Sequence, residues 1–196
     1  MKLYFAAAAA IALFAAAPAN AASVMSAGRT AQEDCSGAAA SQARAPLSER
    51  ALGNGLAACK AALTGDLSQL ARAGTLVNRG ILEAAAGRND VALTDFTAGL
   101  ARDPNLAAGY MNRGAALLRA GRYDEARADF DRAIDLNTAD MHVAYFNRGE
   151  AQEASGNLVA AYHDYRKARE LAPDFKPASI ELARFQVNER RVATIR

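Results

Sequence analysis

The sequence predicts an all-α solenoid of stacked helix hairpins, on three observations. Alanine fills 51 of the 196 positions, and it is the residue that loses least on entering a helix. A set of landmarks recurs three times along the chain at offsets of 34 and then 35 residues. Glycines fall at corresponding places in each copy, and prolines in the first and third, where they break helices. Hydrophobic residues at 52% can fill a core, and 22% charged residues with a formal net charge of +2 exclude a disordered polyelectrolyte and a strongly basic nucleic-acid binder.

Taken in chain order, the first segment reads as a targeting signal. Lys2 precedes an unbroken apolar run of 15 residues from Leu3 to Ala17, which Pro18 ends. Ala19-Asn20-Ala21 then offers the small residues a signal peptidase reads, so residues 1–21 are expected to be a signal peptide cut after Ala21 or Ala22. The competing reading is an uncleaved anchor, but a span needs about 20 apolar residues. The expectation is an exported chain, periplasmic or secreted, with no membrane span after cleavage. Without Lys2 it holds 22 basic and 21 acidic residues, with no electrostatic pull towards nucleic acid or an anionic membrane.

Residues 22–46 are small and polar and are expected to be flexible apart from Cys35. In an oxidising compartment Cys35 and Cys59, the only cysteines, read as one disulfide. Residues 47–72 are expected to form a degenerate half-repeat, with a helix over Leu47–Leu63 ended at Thr64-Gly65-Asp66.

Three repeats follow, over 73–106, 107–141 and 142–175. Asn78-Arg79-Gly80 returns as Asn112-Arg113-Gly114 and as Asn147-Arg148-Gly149. In the same register Gly87 becomes Gly121 and Gly156, Ala92 becomes Ala126 and Ala161, and Phe96 becomes Phe130 and Tyr165. Each copy therefore reads as helix, glycine break, helix. Ala126, Phe130 and Ala133 are spaced four and three apart and share one face of the second helix. Pro104 and Pro173 mark the return loops, and the one extra residue of the second copy must lie between Ala133 and Asn147. Glycine inside a helix costs about 1 kcal/mol against alanine, which predicts close approach of the partner helix at Gly80, Gly114 and Gly149. Residues 176–196 read as a capping helix and tail.

Arg79, Arg113 and Arg148 each travel with an acid 16 residues later, Asp95, Asp129 and Asp164. A charged ligand row is one reading; structural ion pairs between helices explain three linked copies better, since arginine grips a carboxylate with two donors. Catalytic arrangements are missing from the pattern. His142 and His163 lie at no metal-ligand spacing, no glycine-rich phosphate loop follows a strand, and no nucleophile elbow occurs. No enzyme activity, cofactor or metal is expected.

A small residue early, then an aromatic, small residues and a proline over about 34 positions resembles the tetratricopeptide repeat family, over about residues 73 to 175. Leu76 stands where Tyr110 and Tyr145 supply the early aromatic of the later copies, Gly99 where an alanine is usual, and Thr138 where a proline is. The resemblance implies a right-handed solenoid whose concave wall binds an extended peptide. It places Asn78, Asn112 and Asn147 on that wall, able to pair with peptide amides. One turn around it implies Val77, Ile81, Met111, Ala115, Leu118, Phe146, Glu150 and Glu153 beside them. Members that clamp a C-terminal carboxylate carry lysines and an arginine there. Val77, Ile81, Val143 and Asn147 hold those positions here, and only Asn112 matches. The expected function is a non-catalytic scaffold or adaptor in the bacterial envelope, binding a protein or peptide of unknown identity. The rival is a structural module that self-associates through an exposed solenoid face.

Overall fold

A computed structural model describes residues 30–194, so the signal peptide expected over 1–21 lies outside the described residues. The described chain forms α1 (Ala31–Arg44), α2 (Glu49–Thr64), α3 (Gln69–Ala85), α4 (Asn89–Leu100), α5 (Ala107–Arg119), α6 (Tyr123–Asp135), α7 (Met141–Ala154), α8 (Leu158–Leu171) and α9 (Lys176–Thr194). Among the described residues there is no strand. Helices pair as α1 with α2, α3 with α4, α5 with α6 and α7 with α8, and α9 covers α8. The first helices of successive hairpins also touch, α1 to α3, α3 to α5 and α5 to α7. Packing of that extent is absent between α4, α6 and α8. The first-helix row is thus the tighter side of the array, and the array curves around it.

Two expectations at the N-terminal end are corrected. The supposedly flexible segment 22–46 contains α1, and 47–72 is no half-repeat, because α2 is the second helix of a complete hairpin. The cause is a capping box: Glu33 N donates to Thr30 Oγ1 at 3.2 Å, and Thr30 N donates to Glu33 Oε2 at 2.7 Å. Cys35 and Ala39, four apart and fully buried, then anchor one face of α1. Cys35 is disulfide-bonded to Cys59, 24 positions on, and the pair packs with Leu82 of α3. Closing a loop of this size should contribute about 3 to 4 kcal/mol. The Cys35→Ser, Cys59→Ser double variant is expected to lose that amount in urea unfolding. Amide exchange should accelerate in α1 and leave α5 to α8 unchanged.

The repeats close as their small residues require. A Cβ on Gly80, Gly114 or Gly149 would come within 2.6 to 2.8 Å of the ring of Phe96, Phe130 or Tyr165. Ala92, Ala126 and Ala161 are fully buried beside them. Each first helix ends at a glycine with φ of 74° to 85°, at Gly87, Gly121 and Gly156. Among the described residues Asn137 is the one non-glycine with positive φ, 52°. It closes α6 within the window that holds the extra residue, and asparagine tolerates that conformation.

Candidate functional site

The arginine–aspartate series forms inside each repeat. Arg79 Nε donates to Asp95 Oδ2 at 2.7 Å, Arg113 Nε to Asp129 Oδ2 at 2.8 Å and Arg148 Nε to Asp164 Oδ2 at 2.7 Å. In every copy Nη2 takes the other carboxylate oxygen, so all three pairs are two-pronged. Arg148 Nη1 also reaches Asp131 of the preceding repeat at 2.7 Å, and Arg113 Nη1 reaches Thr97, the equivalent residue one repeat earlier, at 3.4 Å. Tyr110 and Tyr145 lie beneath these guanidiniums at 5.6 and 5.0 Å from ring centroid to Cζ. Hydrogen bonds to the aspartates raise the Arg113 and Arg148 pKa values. Burial pushes the Asp129 carboxyl up, and the Arg113 guanidinium opposes that rise. The series ties helix to helix and repeat to repeat, and with its donors engaged inside the protein it offers no row of free charge.

The expected peptide wall needs correction at five positions, four large side chains and Ala115. Val77, Ile81 and Met111 are fully buried and Phe146 is 4% exposed, so all four belong to the core and not to an open wall. Glycine is the physical reason at Val77. A Cβ on Gly99 of α4 or Gly109 of α5 would lie 3.0 or 3.4 Å from Val77 Cγ2, so the two helices close over it. The departure from the usual alanine at Gly99 is thereby explained: a side chain there would also meet Ala73 O at 3.0 Å. Ala115, on the same expected wall, is fully buried as well.

Asn78, Asn112 and Asn147 lie in the first-helix row but are themselves buried, at 5%, 0% and 0% exposure. Asn112 Nδ2 donates to Ala108 O at 2.8 Å, one turn back. Asn78 Oδ1 and both amide atoms of Asn147 have no partner. Leu118, Glu150 and Glu153 are the partly exposed members of the expected wall.

Around Glu153 the structure assembles groups that the repeat pattern did not single out. Tyr165 Oη donates to Glu153 Oε2 at 2.9 Å, Arg184 of α9 donates to both Glu153 oxygens, and Arg184 Nε donates to Glu181 Oε2 at 2.6 Å. Burial, with Glu153 next, pushes the Tyr165 hydroxyl pKa well up. Glu150 is pushed up to about 8, by burial first and then by the negative charges of Glu181 and Glu153. Tyr165 was legible only as a packing aromatic, and Arg184 and Glu181 sit outside the repeats, so periodicity carried no signal for their meeting. Among the described residues no group of three or more His, Cys, Asp or Glu could hold a metal ion, and no helix is long and apolar enough to cross a membrane.

Hairpins stacked with their first helices on the inside, joined by repeated ion pairs, define a helical-repeat interaction module. The tetratricopeptide repeat model matches residues 77–141 and 116–174, and the chain belongs to that family. Among solved structures, the first tetratricopeptide domain of Spaghetti (RPAP3) bound to an HSP90 peptide is 28% identical with a TM-score of 0.57, covering 61% of this chain and 94% of that one. The second such domain of human RPAP3, in complex with an HSP70 peptide, is 29% identical at a TM-score of 0.57, covering 61% and 98%. MamA, at 19% identity, shares the fold over 80% of this chain and 96% of its own, with a TM-score of 0.59. No curated protein sequence matches the chain.

Proposed function

We propose that the protein is a non-catalytic scaffold that binds an extended peptide segment of a partner along its first-helix row, in the bacterial envelope. The observation that carries this reading is the inner row itself. Its asparagines recur in all three repeats, two of them with unsatisfied amide atoms, and its later half exposes Leu118, Glu150 and Glu153. The peptide-bound RPAP3 domains support such a use of the fold. The exposed part of the wall offers Leu118, Glu150 and Glu153 and lacks clamp lysines, which disfavours an acidic C-terminus. The Cys35–Cys59 disulfide supports an oxidising location.

A photocrosslinker tests the reading. Placed at Leu118, which is partly exposed where Asn112 is not, it is expected to capture a partner polypeptide, while one at Val91 on α4 is not. Capture from Val91 alone would reverse the assignment of the binding face.

Self-association is favoured by a separate observation: Val159 of α8 is 71% exposed and Ile180 of α9 is 63% exposed. Sedimentation over a range of concentrations is expected to show a monomer. Concentration-dependent oligomers that vanish in Val159→Ser would establish the rival instead.

A further inference from the structure

The inner row changes character in its last repeat. The position held by Ile81 and Ala115 becomes Glu150, and the position held by Ala84 and Leu118 becomes Glu153. Where α3 and α5 present hydrocarbon, α7 presents two carboxylates one helical turn apart.

The two acids are served differently. Glu153 receives the Tyr165 hydroxyl and Arg184, and Glu181 shares Arg184 with it. Glu150 is left out, with its Oε2 buried and without a donor. Helical side chains lean towards the N-terminus, onto residues three and four back. Glu150 stands three residues after Asn147 and so shares a face of α7 with it; Asn147 is fully buried with both amide atoms unpartnered. An acceptor lacking a donor and an amide lacking any partner sit on one face of one turn. Glu150 remains partly exposed, so its side chain can be reached from solvent, with the buried Asn147 amide behind it.

We propose that Glu150 and Asn147 form a subsite for a guanidinium, the side chain of an arginine in the bound segment. Glu150 takes the charge and the Asn147 carbonyl oxygen accepts a further N–H. The planar fork of arginine carries five donors and can serve both acceptors at once, which the compact ammonium of lysine does less well. The chain uses the same chemistry internally in every repeat, on Asp95, Asp129 and Asp164. Arg184 is held by Glu153 and Glu181, so it does not satisfy Glu150.

The charged and titratable groups around the subsite are Glu153 on α7, Tyr165 on α8, and Glu181 and Arg184 on α9. Three of these four are acids or a neutral phenol. Burial first, and then the charges of Glu181 and Glu153, keep the Glu150 proton on at neutral pH, and a guanidinium entering beside it favours the charged form. Binding is therefore coupled to loss of that proton, and affinity rises with pH.

This subsite rests on the proposed peptide-binding reading, and the test separates the two. The Glu150 carboxyl carbon of the full chain is followed by NMR through a pH titration, alone and with N-acetyl-arginine amide, with N-acetyl-glutamine amide as control. Alone it is expected to titrate at about 8. Arginine amide should lower that midpoint by about one unit or more and bind about five- to tenfold more tightly at about pH 9 than at about pH 7. Glu150→Gln, which keeps the shape and removes the charge, should abolish both the binding and its pH dependence. An unmoved midpoint, or equal binding of the glutamine amide, overturns the subsite. A crosslink from Leu118 without any arginine effect leaves peptide binding standing and removes the subsite. An arginine effect without a crosslink does the reverse.

Discussion

Glu150→Gln is expected to stabilise the protein above neutral pH and to change little in acid. Below about 4.5 the carboxyl is protonated in both the folded and unfolded chain, so amide and acid differ little there. Between about 4.5 and about 8 the unfolded chain releases the proton while the folded chain keeps it, because burial and the neighbouring Glu181 and Glu153 hold the folded value up. The folded state then binds more protons than the unfolded one, so stability falls as pH rises. The slope is about 1.4 kcal/mol per pH unit. Over the whole window the loss is on the order of 3 to 5 kcal/mol. Glutamine cannot ionise and removes that slope, so urea midpoints of the two proteins should diverge steadily and become parallel above about pH 8. Parallel curves from acid to alkaline pH would mean that Glu150 ionises normally in the folded chain, which would also count against its unsatisfied state.

The repeat array was legible because three copies repeat one packing problem. Gly80, Gly114 and Gly149 face Phe96, Phe130 and Tyr165 at the same distance in sequence, and the ion pairs span the same 16 residues each time. Periodicity converts such contacts into a visible pattern. The N-terminal hairpin gave no pattern because it occurs once and does not follow the spacing of the others. Its signal was local, Thr30 and Glu33 at capping-box spacing ahead of an alanine-rich run, and low hydrophobicity hid it. The first-helix row was legible in position but the depth of its side chains was not. The resemblance to the tetratricopeptide repeat family placed Val77, Ile81, Met111 and Phe146 on the inner row. Whether a neighbour closes over an inner-row residue depends on how near the next helix comes, and at Val77 that was decided by Gly99 and Gly109 on other elements. The cluster at Glu150 was half legible. Two acids one turn apart stood out, but Arg184 and Glu181 reach them from α9, beyond the last repeat.

Phe130→Ala is expected to cost about 3 to 5 kcal/mol, the range for removing a buried aromatic ring. The size of that cost follows from what surrounds the ring. Phe130 is fully buried with Met111, Leu117, Ala126, Ala133, Val143, Ala144 and Ala151. Opposite it stands Gly114, whose added Cβ would lie 2.8 Å from Phe130 Cε1. Glycine has no side chain to swing into the gap, and four of the lining residues are alanines that cannot extend. The cavity therefore stays open, and the upper part of the range applies. Position matters as much as size. A solenoid is held by nearest-neighbour contacts, and Phe130 sits in the middle repeat, between the hairpin of α3 and α4 and that of α7 and α8. Its loss should divide one cooperative transition into two. Hydrogen exchange would then show α3 and α4 protected separately from α7 and α8, where the parent chain protects them together. The complementary change tests the same contact from the other side. Gly114→Ala gains about 1 kcal/mol in helix propensity but presses a methyl into the ring, an overpacking cost of about 1 to 3 kcal/mol. Alone it should be neutral to destabilising. Combined with Phe130→Leu, which removes the clashing edge of the ring, it should recover part of the loss. A simple sum of the two single effects would show that the glycine is not there to admit the ring.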